Sequence, residues 1–307
     1  MTKRDKQSFE NQASEGSRAI NKFRVSDAVM MIIITLLCLT CIMPFLHVGS
    51  KSISGNSYVI AQKVYFWPKG FTLDAYKSIF RDGSLTHSMW YSVLVTALFT
   101  VLGMVACTCA AYPLSKKRLK GRVWIAFLLM IPMYFGAGLI PTYLLIRDLG
   151  LYDNMWVLIL PLIYSPYNML IMKSFFQANI PDSLEESAFL DGATNFQILG
   201  QIVLPLSKPI IATLSLFYAV GRWNAYSDNM YYISSSRLKM IQYKLYLMVA
   251  TANEAASISM SEASAVTTTP EVTEAAAVMF ATIPIILIYP FVQKYFVKGV
   301  MIGAVKG

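Results

Sequence analysis

Runs of apolar residues about 20 long recur along the chain, each separated from the next by a polar segment. Such a run is long enough to cross roughly 30 Å of hydrocarbon as an α-helix. The pattern therefore predicts an all-α membrane protein with six transmembrane helices, whose ends are placed to within about four residues. The predicted spans are residues 27–47, 87–113, 123–145, 154–172, 209–226 and 275–297.

Basic residues form clusters before the first span, in the short loop between the second and third spans, and after the last span. Six spans place all three clusters on one side, and this distribution predicts that the side is the cytoplasm. The predicted regions are a cytoplasmic N-terminal segment (1–26), a six-helix transmembrane domain (27–298) with a cytoplasmic loop (174–208) and outward-facing loops (48–86 and 227–274), and a cytoplasmic C-terminal tail (299–307).

The composition narrows the class of protein further. Hydrophobic residues make up 56% of the chain and its mean hydropathy is +0.51, which excludes an ordinary soluble domain. Because the net charge of +9 arises from the clusters that set orientation, we predict no nucleic-acid partner.

Cys38 and Cys41 have a CxxC spacing but no second pair or nearby histidine, so we predict small residues in a membrane helix and no metal site. The sequence contains no Walker motif, zinc signature or nucleophile elbow, which predicts no catalytic residue and no cofactor bound by this chain.

The polar segment between the fourth and fifth predicted spans has the signals of two short helices. Ser183 and Glu186 form an S-x-x-E capping box, and Thr194 and Gln197 repeat the pattern as T-x-x-Q. Gly192 between them favours a sharp left-handed turn. We therefore predict two helices set at an angle at the membrane surface. They form either a docking surface or an interfacial pair that only packs against the bundle.

The same segment resembles the EAA loop of ABC importer permeases. The matching stretches are Glu186-Ser187-Ala188, Asp191-Gly192-Ala193 and Ile202-Val203-Leu204-Pro205, at the offsets of that motif. Ser187 stands where the family usually has alanine. In the family this loop is a coupling helix that sits in a cleft of an ATP-hydrolysing subunit. The residues to which the resemblance assigns ATPase coupling are Glu185, Glu186, Ser187, Ala188, Asp191, Gly192, Ala193 and Pro205.

Two further stretches resemble the maltose-transporter type of carbohydrate permease. Trp223-Asn224 closes the fifth predicted span, and residues 289–307 are similar to the tail of the inner subunit that pairs with a second permease. The similarity is to the branch that imports complex oligosaccharides, such as uronate-containing fragments. The tail residues expected to contact the ATPases are Lys298, Gly299, Gly303, Lys306 and Gly307.

The resemblance implies a set of partners and a location. The expected complex holds this chain, a second homologous permease, two ATPases that bind ATP and Mg, and an extracellular solute-binding protein that delivers an oligosaccharide. It would lie in the bacterial cytoplasmic membrane, with both termini of this multi-pass chain in the cytoplasm.

A sugar path needs aromatic faces for stacking and polar groups for hydroxyls. Candidates near the outer half of the spans are Tyr134, Tyr143, Tyr218, Arg222, Trp223, Asn224 and Tyr226. Arg222 and Asp228 are unusual charges near a span, and such charges are often functional. Arg222 is a candidate to pair with the carboxylate of an acidic sugar. The alternatives are snorkelling for Arg222 and an interfacial aromatic belt for Trp223 and Tyr226.

Two other functions remain open from the residues. A membrane enzyme acting on lipid-linked sugar would need clustered carboxylates, and Glu185, Glu186 and Asp191 form the one such cluster. An ABC permease for a non-sugar solute is disfavoured by the Trp223-Asn224 and tail resemblance.

Overall fold

The computed structural model describes residues 25–258 and 270–304, and all the regular secondary structure within them is helical. The predicted N-terminal segment up to residue 24, residues 259–269 of the second outer loop, and Lys306 and Gly307 lie outside the described residues. The helices are α1 (Val25–Ser52), α2 (Asn56–Ile60), α3 (Asp74–Asp82), α4 (Ser84–Ser115), α5 (Arg122–Tyr134), α6 (Leu139–Asp148), α7 (Pro166–Asn179), α8 (Asp182–Leu190), α9 (Asn195–Leu206), α10 (Lys208–Asn224), α11 (Ser227–Tyr232), α12 (Ile241–Ile258) and α13 (Pro270–Ala304). They are α-helical except that Leu199–Val203, within α9, is a π-helix. Short 3-10 turns occupy Met155–Leu158, Leu160–Leu162 and Ser236–Leu238.

Three of the described helices, α1, α4 and the first part of α13, are long and apolar enough to cross a membrane unaided. Three bent pairs reach the same length and hydropathy together, so the described residues hold up to six spans if each pair counts as one. α5 and α6 meet at 110°, the 3-10 turns and α7 at 50°, and α9 and α10 at 84°. The protein is therefore a helical membrane protein in which half of the candidate spans are broken.

The third and fourth spans were predicted as continuous helices, but each is broken, and the breaks have local causes. Residues 135–138, between α5 and α6, include Gly136 and Gly138, and Gly138 has a φ of +85°. Glycine weakens a helix and takes this backbone conformation at little cost. Pro161 and Pro166 lack the N–H that a continuous helix needs. α7 consequently starts afresh, with the Ser165 hydroxyl accepting the backbone N–H of Asn168 at 3.3 Å.

The centre of the bundle is α4, which packs most extensively against α10 and α7. The rings of Phe99 on α4 and Tyr218 on α10 meet edge to face with centroids 5.7 Å apart. Gly103 lies against the same tyrosine, and a Cβ at this position would come within 2.7 Å of the ring. A small residue therefore permits the close approach of α4 and α10, as at other membrane-helix interfaces.

A second apolar cluster joins α3, α4, α10 and α13 and contains Trp223. α13 also packs along α1, whose remaining apolar side chains are exposed as expected of a helix surrounded by lipid. α13 runs on to Ala304. Lys298, Gly299 and Gly303, predicted as parts of a separate tail, therefore lie in the last helix.

Candidate functional site

The segment formed by α8 and α9, called here the two-helix segment, turns sharply at Gly192. Gly192 has a φ of +83°. Its N–H donates to the Phe189 carbonyl at 3.0 Å, and the Ala193 N–H donates to the Ala188 carbonyl at 2.9 Å. This pair of bonds is a Schellman motif, which needs a left-handed residue at the position of Gly192. The predicted turn is confirmed. Glycine suits this position because a φ of +83° is strained for residues that have a Cβ.

The two predicted capping boxes have different outcomes. Thr194 caps α9 as expected, since its hydroxyl accepts the Gln197 N–H at 3.4 Å and its own N–H donates to Gln197 Oε1 at 2.8 Å. The box predicted from Ser183 and Glu186 is wrong. α8 starts one residue earlier, after Pro181, and no side chain caps it. Ser183 is consequently already helical, so its hydroxyl cannot take the position of an N-cap.

The residues expected to couple to an ATPase divide between two faces of α8. Glu185 is 4% exposed and Ala188 is buried beside it. Glu186 and Ser187 are exposed, and Leu190 is 89% exposed. Beyond the turn, Phe196 is the next large apolar side chain and is 86% exposed. Asp191, Gly192 and Pro205 are exposed and Ala193 is half-buried. Of the residues assigned to coupling, Glu186 lies on the outer face of α8, whereas the Glu185 carboxylate faces the inside of the protein.

Glu185 is paired with Lys116, which lies in the loop between α4 and α5, and both residues are buried. The loop makes two further contacts with the two-helix segment through Arg118. Its guanidinium donates to Asn195 Oδ1 at 2.5 Å and lies over the Phe189 ring, 4.3 Å from the centroid. The sequence pattern of this basic loop predicted only membrane orientation and did not reveal its contacts with the two-helix segment. A partial signal existed, because the spacing of Glu185 and Ala188 places both on one helix face.

The acidic cluster that a membrane enzyme would need is not assembled in the described residues. Glu185 faces inward on Lys116, whereas Glu186 and Asp191 face outward. In the described part of the chain, no three His, Cys, Asp or Glu side chains come together as metal ligands would.

Arg222 at the end of α10 is bound inside the protein. It is 2% exposed, and both of its terminal nitrogens pair with the Asp228 carboxylate, Nη2 at 2.9 Å from Oδ1. Nη1 also donates to the Leu158 carbonyl at 3.0 Å. The snorkelling interpretation is therefore wrong. The positive charge expected to meet an acidic sugar is already neutralised by Asp228.

The remaining candidates for a sugar path are scattered. Trp223 is buried in the second apolar cluster, so its assignment to an interfacial belt is wrong. Tyr226 stacks on Tyr246 with centroids 4.9 Å apart, and Tyr143 stacks on Tyr232 at 6.2 Å. Tyr134 and Asn224 are exposed. Of the seven candidates, Tyr218 and Arg222 line a shared cavity of about 190 Å³.

The bundle, its broken helices and the exposed two-helix segment define a polytopic helical membrane protein. A model of the family described as binding-protein-dependent transport system inner membrane component matches residues 103–302. The chain belongs to this family, whose members are transport components of the inner membrane.

Individual relatives agree with this assignment. The chain is 42% identical over 287 residues to the Polygalacturonan/rhamnogalacturonan transport system permease protein YtcP of Bacillus subtilis (strain 168), covering 93% of this chain and 100% of that protein. It is 30% identical to the Galactooligosaccharides transport system permease protein GanQ of the same organism, covering 90% and 94%. In structure it is similar to a bacterial ABC transporter involved in the import of the acidic polysaccharide alginate. The TM-score is 0.79 and the identity 29%, over 90% of this chain and 99% of that one.

Proposed function

We propose that this chain is one of two permease subunits of an ATP-driven ABC importer for an oligosaccharide, delivered by an extracellular solute-binding protein. The observation that carries the proposal is the two-helix segment. It exposes Glu186 and two large apolar side chains, Leu190 and Phe196, while its other face is anchored inside the protein. A surface of this kind suits a cleft on a partner ATPase, which would bind ATP and Mg. The family membership and the names of the relatives support the same assignment.

The proposal includes a membrane arrangement. α1, α4, the two bent units α5–α6 and 155–179, α10 and α13 are the six spans. The two-helix segment, the loop between α4 and α5, and both termini are on the cytoplasmic side. The C-terminal end of α13 is the part of the helix that faces the two ATPases. The basic residues of the 116–122 loop support this orientation.

The substrate in this proposal is an acidic oligosaccharide. The support is that one relative is named for polygalacturonan/rhamnogalacturonan transport and the structural neighbour is involved in alginate import. Arg222 does not select the acidic sugar, because Asp228 already holds its guanidinium. Acid selection would therefore come from the solute-binding protein, the second permease or other residues of this chain.

The test is to express the chain with the second permease, ATPase and binding protein encoded beside it. Uptake of acidic oligosaccharides and the amount of co-purified ATPase are then measured. In the double variant Glu186→Ala/Gly192→Ala, we expect normal membrane insertion but loss of uptake. The first change removes the exposed carboxylate, and the second forces a side chain into a left-handed turn at a cost of roughly 1–2 kcal/mol.

Gly200→Ala is the matched control. Gly200 lies in the same segment, has open space around its Cα, and does not have a positive φ. Its replacement should leave uptake unchanged. Wild-type uptake by the double variant, or a wild-type chain that brings no ATPase through purification, would contradict the proposed function.

A further inference from the structure

We propose that the ion pair between Lys116 and Glu185 is a positioning element that links the coupling helix α8 to α4, so that a displacement of α8 moves the centre of the bundle. The proposal rests on the function proposed above. It assigns the transmission of movement within this chain to two residues, neither of which is expected to touch the ATPase or the sugar.

The pair is buried, which distinguishes it from an ordinary surface contact. The side chains of Lys116 and Glu185 are 7% and 5% exposed. Removing two charges from water is costly, and leaving one of them without its partner is costlier still. Each residue therefore holds the other in place, and α8 cannot separate from Lys116 without leaving a buried charge unpaired.

The position of the pair on the two helices strengthens the link. Lys116 is the C-cap residue of α4, where a positive charge is favourable, and Glu185 lies in the first turn of α8, where a negative charge is favourable. The Lys116 ammonium also lies 5.1 Å from the centroid of the Tyr112 ring on α4. The contact thus joins the end of one helix to the start of the other.

Neighbouring contacts fix the geometry around the ion pair of Lys116 and Glu185, so it is not an isolated contact. Arg118 contacts Phe189 at the end of α8 and Asn195 at the start of α9. On the other side, Gln177 of α7 donates to the Ser115 carbonyl at 3.4 Å. These contacts together connect the two-helix segment to α4 and α7, and α4 packs directly against α10.

An adjacent pair serves as a built-in comparison. Lys117 lies next to Lys116 and pairs with Asp182 of α8 at 3.2 Å, but both side chains are largely exposed. Exposed pairs contribute little because water and salt screen them. Removing the Lys117 charge therefore changes the net charge of the loop by the same amount without breaking a buried contact.

The experiment uses the purified complex of permeases, ATPase and binding protein in proteoliposomes. Sugar import and ATP hydrolysis are measured for Lys116→Met, Lys117→Met and the reversed pair Lys116→Glu/Glu185→Lys. For Lys116→Met we expect the sugar imported per ATP to fall well below the wild-type ratio, because a displacement of α8 is no longer passed to α4. Lys117→Met should import as wild type. The reversed pair should recover part of the loss, because the ion pair returns while the helix dipoles oppose it.

Unchanged import per ATP in Lys116→Met would overturn the proposal, as would equal losses in Lys116→Met and Lys117→Met. If Lys116→Met fails to assemble, the reversed pair decides. Recovery of both assembly and import supports a positioning role, and assembly without import, or failure to assemble, refutes it. These results are distinguishable from failure of the proposed function, which is tested by two other measurements: co-purification of ATPase with the wild-type complex and loss of uptake in Glu186→Ala/Gly192→Ala.

Discussion

The pair of Arg222 and Asp228 allows a quantitative test of whether Arg222 is a structural or a sugar-binding residue. Asp228→Asn keeps the shape of the side chain and removes its charge. Arg222 is 2% exposed, so it would stay in place as a buried cation. It would retain the Leu158 carbonyl at 3.0 Å but lose its charge-assisted contacts to the carboxylate.

Breaking a buried ion pair by removing one partner costs roughly 3–5 kcal/mol. For a chain of this size, that corresponds to a decrease in the thermal unfolding midpoint on the order of 5–10 °C. The assay is thermal unfolding of the detergent-purified protein. Asp148→Asn is the control, because the pair of Arg147 and Asp148 is exposed at 3.5 Å and should contribute no more than about 1 kcal/mol.

Import separates the two roles of Arg222. If Arg222 is structural, Asp228→Asn should reduce uptake of acidic and neutral oligosaccharides alike, in proportion to the loss of folded protein. If Arg222 reads a sugar carboxylate, freeing its charge should favour acidic over neutral sugars. An unchanged midpoint, or a selective gain in acidic uptake, would refute the structural assignment.

Two further predictions concern packing and pH. Gly103→Ala places a Cβ 2.7 Å from the ring of Tyr218, and such overpacking should destabilise the protein by roughly 1–3 kcal/mol in thermal unfolding, with a smaller loss when Tyr218→Leu is added. The Asp153 carboxylate accepts the Ser235 hydroxyl and the backbone N–H groups of Ser235 and Ser234, which lowers its pKa below the ordinary 3.8. Its contribution to stability is therefore complete above that value and is lost as pH falls through the lowered pKa. In melts between pH 2 and 7, Asp153→Asn should destabilise the protein at neutral pH and flatten the acid limb, and an identical acid limb would contradict this account.

Features of the two-helix segment that depend on nearby residues could be predicted from the sequence. The turn at Gly192 and the cap at Thr194 each involve groups only a few positions apart. The cap expected at Ser183 is absent for a reason that is also local, but the sequence indicates it less clearly. Pro181 ends the preceding chain in an extended conformation, so the helix already includes Ser183. Short-range patterns therefore identify that a helix starts here more surely than which residue caps it.

Features that depend on contacts distant in sequence could not be predicted. Glu185 and Lys116 are 69 residues apart, and nothing in either stretch shows that they meet. Trp223 is of a residue type common at membrane interfaces, but it is buried in the second apolar cluster with residues of α3 and α13. Arg222 has the sequence context of a functional charge. Asp228 is only six positions away, but it lies on the next helix, so their pairing depends on the turn between α10 and α11. In each case a tertiary contact decides between interpretations that the local pattern leaves equal.

The remaining alternative for the two-helix segment, an interfacial pair that only packs against the bundle, conflicts with the side chains that share its outer face. Leu190 follows Glu186 by four positions, so the two lie together on one face of α8. If Leu190 were buried in lipid, the Glu186 carboxylate would be brought towards the same hydrocarbon, at a large desolvation cost. A protein cleft with an apolar floor and a cationic rim accommodates both groups, and Glu185 holds the opposite face to the bundle. Adjacent carboxylates that point in opposite directions thus favour a docking helix over one that lies passively on a membrane.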